Sequence, residues 1–143
     1  MKKRFLCAVV LGVWSFVLPG PVRAHHGDAG RYIAEVTSLT GTVVQFVMVN
    51  PHAFIVLDVT ENGETTRWTA ELNGPQALAR DFGWTSATTK KWVGSRFTVM
   101  GRRLKSGAPY MNLTERAKIV LADAGQEIFR TANFGNPAPA AEQ

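Results

Sequence analysis

The stretch that decides the fold is LTGTVVQFVMVNPHAFIVLDVTENGETTRWTAEL, Leu39 to Leu72. Its first part, Leu39 to Val49, is rich in β-branched and aromatic residues and has no helical spacing, so it reads as a strand. Asn50-Pro51-His52 interrupts it, because Pro51 has no N–H to give to a ladder. Ala53 to Val59 is the next strand, and Asn62-Gly63 is a strong hairpin signal. On the return strand, Thr66, Trp68, Ala70 and Leu72 alternate with Thr65, Arg67, Thr69 and Glu71.

Past this meander the pattern changes. Asn73 is placed to cap a short helix, Pro75 sits near its first position, and Gly83 stops it. Leu78 and Phe82 lie four apart on one face, which is predicted to pack on the sheet. Residues 84–94 read as a looser connection with a helical turn begun at Thr85. Ser95 to Leu104 is a strand, 105–109 a turn, and Tyr110 to Leu121 a long strand with Met111, Leu113, Ala117, Ile119 and Leu121 on one face. Glu115 interrupts that face, and a bulge is the expected cause, since an unpaired buried carboxylate is costly. Glu127 to Phe129 is a last short strand. Three strands, a helix and two strands predict an all-β fold with one short helix, a small OB-fold-like five-stranded barrel. Gly41 and Gly101 suit its tight coiling.

Ahead of the barrel, Lys2, Lys3 and Arg4 precede the apolar run Phe5 to Leu18, followed by Pro19-Gly20-Pro21 and an alanine at position 24. That is the pattern of a secretory leader cut after Ala24, and the run is shorter than the roughly 20 residues needed to span a bilayer. The expected division is a signal peptide at 1–24, an arm at 25–38, a barrel at 39–130 and a flexible tail at 131–143, placing the protein in the periplasm or outside the cell. Four of the 16 Lys and Arg lie before the cut, which leaves 12 against 11 acidic residues in a mature chain that is close to neutral. The basic excess therefore gives no support to nucleic-acid binding. Cys7, the single cysteine, leaves with the leader, so no disulfide and no thiolate site is expected.

Six stretches carry a family resemblance: AHH at 24–26, the strand pair at 39–59, RWTAEL at 67–72, GPQALARDFGW at 74–84, GSRFTVMG at 94–101 and IVLADAG at 119–125. Together they resemble a family of small exported bacterial proteins recorded as a domain of unknown function (DUF6152-like), over Ala24 to about Phe129. The N-P-H bend and the Gly-Trp after the helix are the most specific parts. GDAGRY at 27–32 departs from the aromatic arm common there. The resemblance implies fold and export, and no activity.

The chemistry-bearing residues are few. Cleavage before His25 creates an α-amine beside an imidazole, a pair that chelates a metal through nitrogen; a second imidazole completes a histidine brace, and nitrogen-only ligands favour Cu(II). The candidate ligands are His25, His26 and His52, the only histidines present. The alternative is a metal-free barrel that binds a small anionic or glycan ligand, or a protein partner, through Asn50, Trp68, Trp84 and Arg102. The purely structural reading is a solvated histidine tail, with His52 capping its strand or packing on Phe54 or Trp68. No nucleophile motif, phosphate loop or carboxylate pair supports catalysis; Asp58, Glu71 and Glu115 read as scattered structural acids.

Overall fold

The computed structural model describes residues 30–137. Its strands are β1 (Thr37–Val47), β2 (Phe54–Glu61), β3 (Glu64–Glu71), β4 (Arg96–Arg103), β5 (Tyr110–Asn112), β6 (Lys118–Leu121) and β7 (Gln126–Arg130), with the helix α1 (Pro75–Phe82) and a 3-10 turn at Thr88–Trp92 between β3 and β4. The expected all-β architecture with a small barrel and one short helix is present.

Barrel closure depends on β1. Its first half pairs antiparallel with β4, from Thr37↔Gly101 to Thr42↔Arg96, and its second half pairs with β2, from Thr42↔Asp58 to Val47↔Phe54. A register shift between Val43 and Gln45 marks the bend that allows one strand to serve two neighbours. The circuit β1-β2-β3-β5-β4 runs through a short parallel pairing of β3 with β5 and returns to β1 through the β1–β4 pairing. Two glycines permit the close passes. A Cβ on Gly101 would lie 2.4 Å from the Asn112 carbonyl oxygen, and one on Gly41 would lie 2.8 Å from the Asp58 carbonyl oxygen.

The hairpin signal is realised as read. Asn62 and Gly63 both have positive φ, 52° and 83°, as a type I′ turn requires. The helix starts one residue later than expected. Gly74 is its N-cap, and Asn73 instead donates from Nδ2 to the Thr114 carbonyl, 3.4 Å away. Gly83, in the left-handed conformation, closes it as predicted.

The long strand over 110–121 is corrected. It is two strands that lie in succession along one edge of β4. Between Arg102↔Asn112 and Met100↔Lys118 the partner chain advances six residues while β4 advances two. The excess is a full break, where a bulge was expected. The Asn112 side chain starts it by accepting bonds from the Thr114 N–H, 3.0 Å, and Thr114 hydroxyl, 2.9 Å. Arg116 completes it at φ 50°. Glu115 does not enter the barrel but forms an ion pair with Arg102. Leu113 and Ala117 still reach the core, so the apolar face survives the break. Residues just past β7, at the start of the segment read as a tail, are bound: the Thr131 N–H donates to Ala117 O at 2.9 Å, and the Arg116 N–H donates to the Asn133 side chain at 2.7 Å.

The core joins Leu39, Val43, Ile55, Leu57, Ala70, Leu72, Phe97, Val99, Met111 and Ile119. One end is aromatic. Trp84 packs against Phe46, Phe82, Trp92 and Phe129 with ring centroids 4.9–5.9 Å apart. Among the described residues no helix is long and apolar enough to cross a membrane.

The β6–β7 hairpin carries an exposed charge clamp. Glu127 accepts from Arg130 at 2.8 Å and from Lys118 at 3.2 Å, and these partners, Arg130 first, hold its carboxyl down at about 2. A carboxyl lowered in the folded state contributes above its ordinary value near 4.5 and loses that contribution as pH falls toward about 2. Glu127→Gln is therefore expected to lower the thermal midpoint slightly at pH 6, a difference that disappears in a pH 2 melt. The effect is small because the groups are solvated.

Candidate functional site

His52 stands immediately after the Asn50–Pro51 bond, which is cis. The strand ends on either side fix its backbone. Leu72 N–H donates to Ala53 O at 2.8 Å, and Ala53 N–H donates to Asn73 O at 3.3 Å. Gly74 allows the bend to lie against the helix start, since a Cβ there would sit 2.6 Å from the Pro51 carbonyl oxygen.

The His52 ring meets Glu71, the last residue of β3, through Nδ1 and Oε1. Glu71 is the centre of the site. Its Oε2 accepts from the Tyr110 hydroxyl at 2.7 Å and from the Tyr32 hydroxyl at 3.4 Å. The Glu71 side chain is 14% exposed and that of His52 is 44% exposed. One half-buried carboxylate thus gathers three donors from the bend, from β5 and from the N-terminal arm. Burial, and then the bond to Glu71, push the Tyr110 phenol above its ordinary value, so it remains a neutral donor.

The tautomer follows. An ionised carboxylate only accepts, so the shared proton sits on Nδ1, and in a neutral ring Nε2 then carries the lone pair. Nε2 has no hydrogen-bond partner among the described residues. A histidine held at one nitrogen by a carboxylate and open at the other is the usual arrangement of a metal-ligating imidazole.

The arm reaches this site. Tyr32 forms a bridge with Leu104, Ile33 N–H donates to Arg103 O at 2.9 Å, and Lys105 N–H donates to Arg31 O at 2.9 Å. Arg116 binds Ala34 O at 2.8 Å. The Tyr32 ring is 4% exposed and lies beneath the Arg102 guanidinium, 5.4 Å from the ring centre. Gly30, at φ 98°, turns the chain just before it docks.

The other proposed residues are dispersed. His25 and His26 lie outside the described residues. Asn50 is exposed at the bend. Trp68 is half-buried under the Arg103 guanidinium at 4.9 Å, beside a cleft lined by Glu61, Glu64, Thr66 and Pro109. Trp84 is buried in the aromatic end of the core. Arg102 is held between Glu115 and the Tyr32 ring. Among the described residues no group of three or more His, Cys, Asp or Glu is placed to hold a metal.

Sequence reasoning gave Glu71 only a structural role and did not join it with Tyr110 and Tyr32. Glu71 sits on the face opposite Ala70 and Leu72, where a carboxylate reads as solvated. The signal that could have found the group was Tyr32, a lone large aromatic in an otherwise polar arm.

Fold and site together define a small closed β-barrel that carries a carboxylate-held histidine at one end, with its N-terminal arm fastened beside that histidine. Residues 16–111 match the model of a family described as a family of unknown function, DUF6152, and the chain belongs to that family. The matched range includes Tyr32, His52, Glu71 and Tyr110. Neither curated proteins nor solved structures match the chain.

Proposed function

We propose that the protein is an exported, OB-like binding module that takes up Cu(II) once its leader is removed after Ala24. The ligands in this reading are the α-amine and imidazole of His25, with His26 and His52. The observation that supports it most is the state of His52: Nδ1 is engaged by Glu71, Nε2 has no hydrogen-bond partner among the described residues, and the side chain is 44% exposed. The docked arm adds a second support. Tyr32 and His52 bind the same carboxylate, and Tyr32 is only seven steps along the chain from His25, a reach of roughly 23 Å at about 3.3 Å per step. The donor set is nitrogen only, which suits Cu(II), and the amine can lose its proton to a metal at neutral pH.

A second reading is a metal-free contact with a glycan at the cleft beside Trp68, where Arg103 covers one ring face. Glu61 and Glu64 on its wall oppose an anionic ligand there.

A Cu(II) titration of the mature chain against the same chain with its α-amine acetylated tests the copper reading. One equivalent bound tightly by the free-amine form and weakened at least about tenfold by acetylation is expected, since the chelating nitrogen is then lost. Equal, weak binding by both forms defeats the reading.

A further inference from the structure

We infer that Glu71 is the positioning residue of the copper site, and that through Tyr32 it links docking of the N-terminal arm to the orientation of His52. The inference rests on the copper reading above and adds to it a residue that binds no metal itself.

Glu71 divides its acceptors. Oε1 serves the His52 ring and Oε2 serves the two phenols. Its backbone is fixed on both sides, as the Cα partner of Phe54 on β2 and of Asn112 on β5. A carboxylate so placed has little rotational freedom, so it sets the plane of the imidazole and selects Nε2 as the outward nitrogen. Tyr32 brings the arm to the same acceptor. The hydroxyl spans from the arm to the carboxylate, while the ring is held by Arg102 and by the bridge to Leu104. Undocked, the arm would be free as far as the start of β1 at Thr37, which lengthens the tether from His25 from seven to twelve residues. Tether length alone lowers the local concentration of His25 only about twofold, by its −3/2 power dependence. The larger part of the link must run through the carboxylate and the ring it orients.

The test is Cu(II) affinity by chelator competition, with Cu(II) EPR, on the mature wild-type chain and its Glu71→Gln, Tyr32→Phe and His52→Ala variants. Gln keeps the shape and one acceptor oxygen but removes the charge; Phe keeps the buried ring and removes the hydroxyl. Affinity is expected to fall by about 10–100-fold in Glu71→Gln, the usual cost of losing an outer-shell partner, with an altered copper hyperfine splitting. Tyr32→Phe is expected to move both readouts in the same direction by less. A residue with a purely structural role would lower the melting temperature and leave the copper spectrum as it was. Wild-type affinity and spectrum in Glu71→Gln, with binding lost in His52→Ala, overturns the inference and leaves the copper reading standing. Wild-type binding in His52→Ala overturns both. If Glu71→Gln does not fold, Tyr32→Phe decides: an unchanged spectrum and affinity there overturns the inference.

Discussion

His52→Ala in the mature chain is expected to weaken Cu(II) binding by at least about 100-fold, or about 2.7 kcal/mol, while the barrel stays folded. The size follows from what is removed. Outer-shell changes cost about 10–100-fold, and loss of an oriented ligand must exceed them. The fold tolerates the change because the His52 side chain is 44% exposed and main-chain bonds to Leu72 and Asn73 tie the neighbouring Ala53. The price of the substitution falls on Glu71, which keeps two phenol donors after losing the imidazole. Isothermal titration and a thermal melt on the same sample measure both halves. Unchanged affinity would mean that copper is held by the arm alone.

Phe97→Ala is expected to destabilise the barrel by about 3–5 kcal/mol. Phe97 is fully buried near the start of β4, between Gly41 on β1 and Leu121 on β6, and its ring packs edge-on to Phe46 at 6.1 Å and Trp92 at 5.9 Å. It therefore joins the barrel to the aromatic end of the core. Removing it leaves a cavity between elements that backbone ladders hold apart, so collapse is limited. With a single cysteine the chain can form no internal disulfide to offset the loss, and domains of this size have about 5–15 kcal/mol in total. A drop in the thermal midpoint of roughly 12–20 °C is expected, at about 4 °C per kcal/mol for a domain of this length. A loss under about 1 kcal/mol in urea would show that the aromatic end is loosely packed.

The parts of the fold that could be read were those written in local chemistry. Asn62-Gly63 demands positive φ at two successive positions, and Pro75 with Gly83 brackets one short helix; neither needs a distant partner. Closure was less accessible. That β1 would leave β2 and pair with β4 depends on contacts 54 to 64 residues apart, such as Thr40 with Thr98. The break in 110–121 had a signal, since Asn112-Leu113-Thr114 offers a side chain that can cap its own turn. The left-handed Arg116 had none. At the site, His52 was legible because histidine is rare in this chain, whereas Glu71 was not. Its partners are 19 and 39 residues away, and only folding makes a surface-pattern acid into a shared acceptor.

The most direct measurement of the central claim is EPR of one equivalent of Cu(II) on the mature chain, compared with its α-amine-acetylated form and with His52→Ala. The account predicts an axial spectrum with nitrogen couplings from both ends of the site, and the loss of one nitrogen donor in each altered form. An identical spectrum in all three would contradict it.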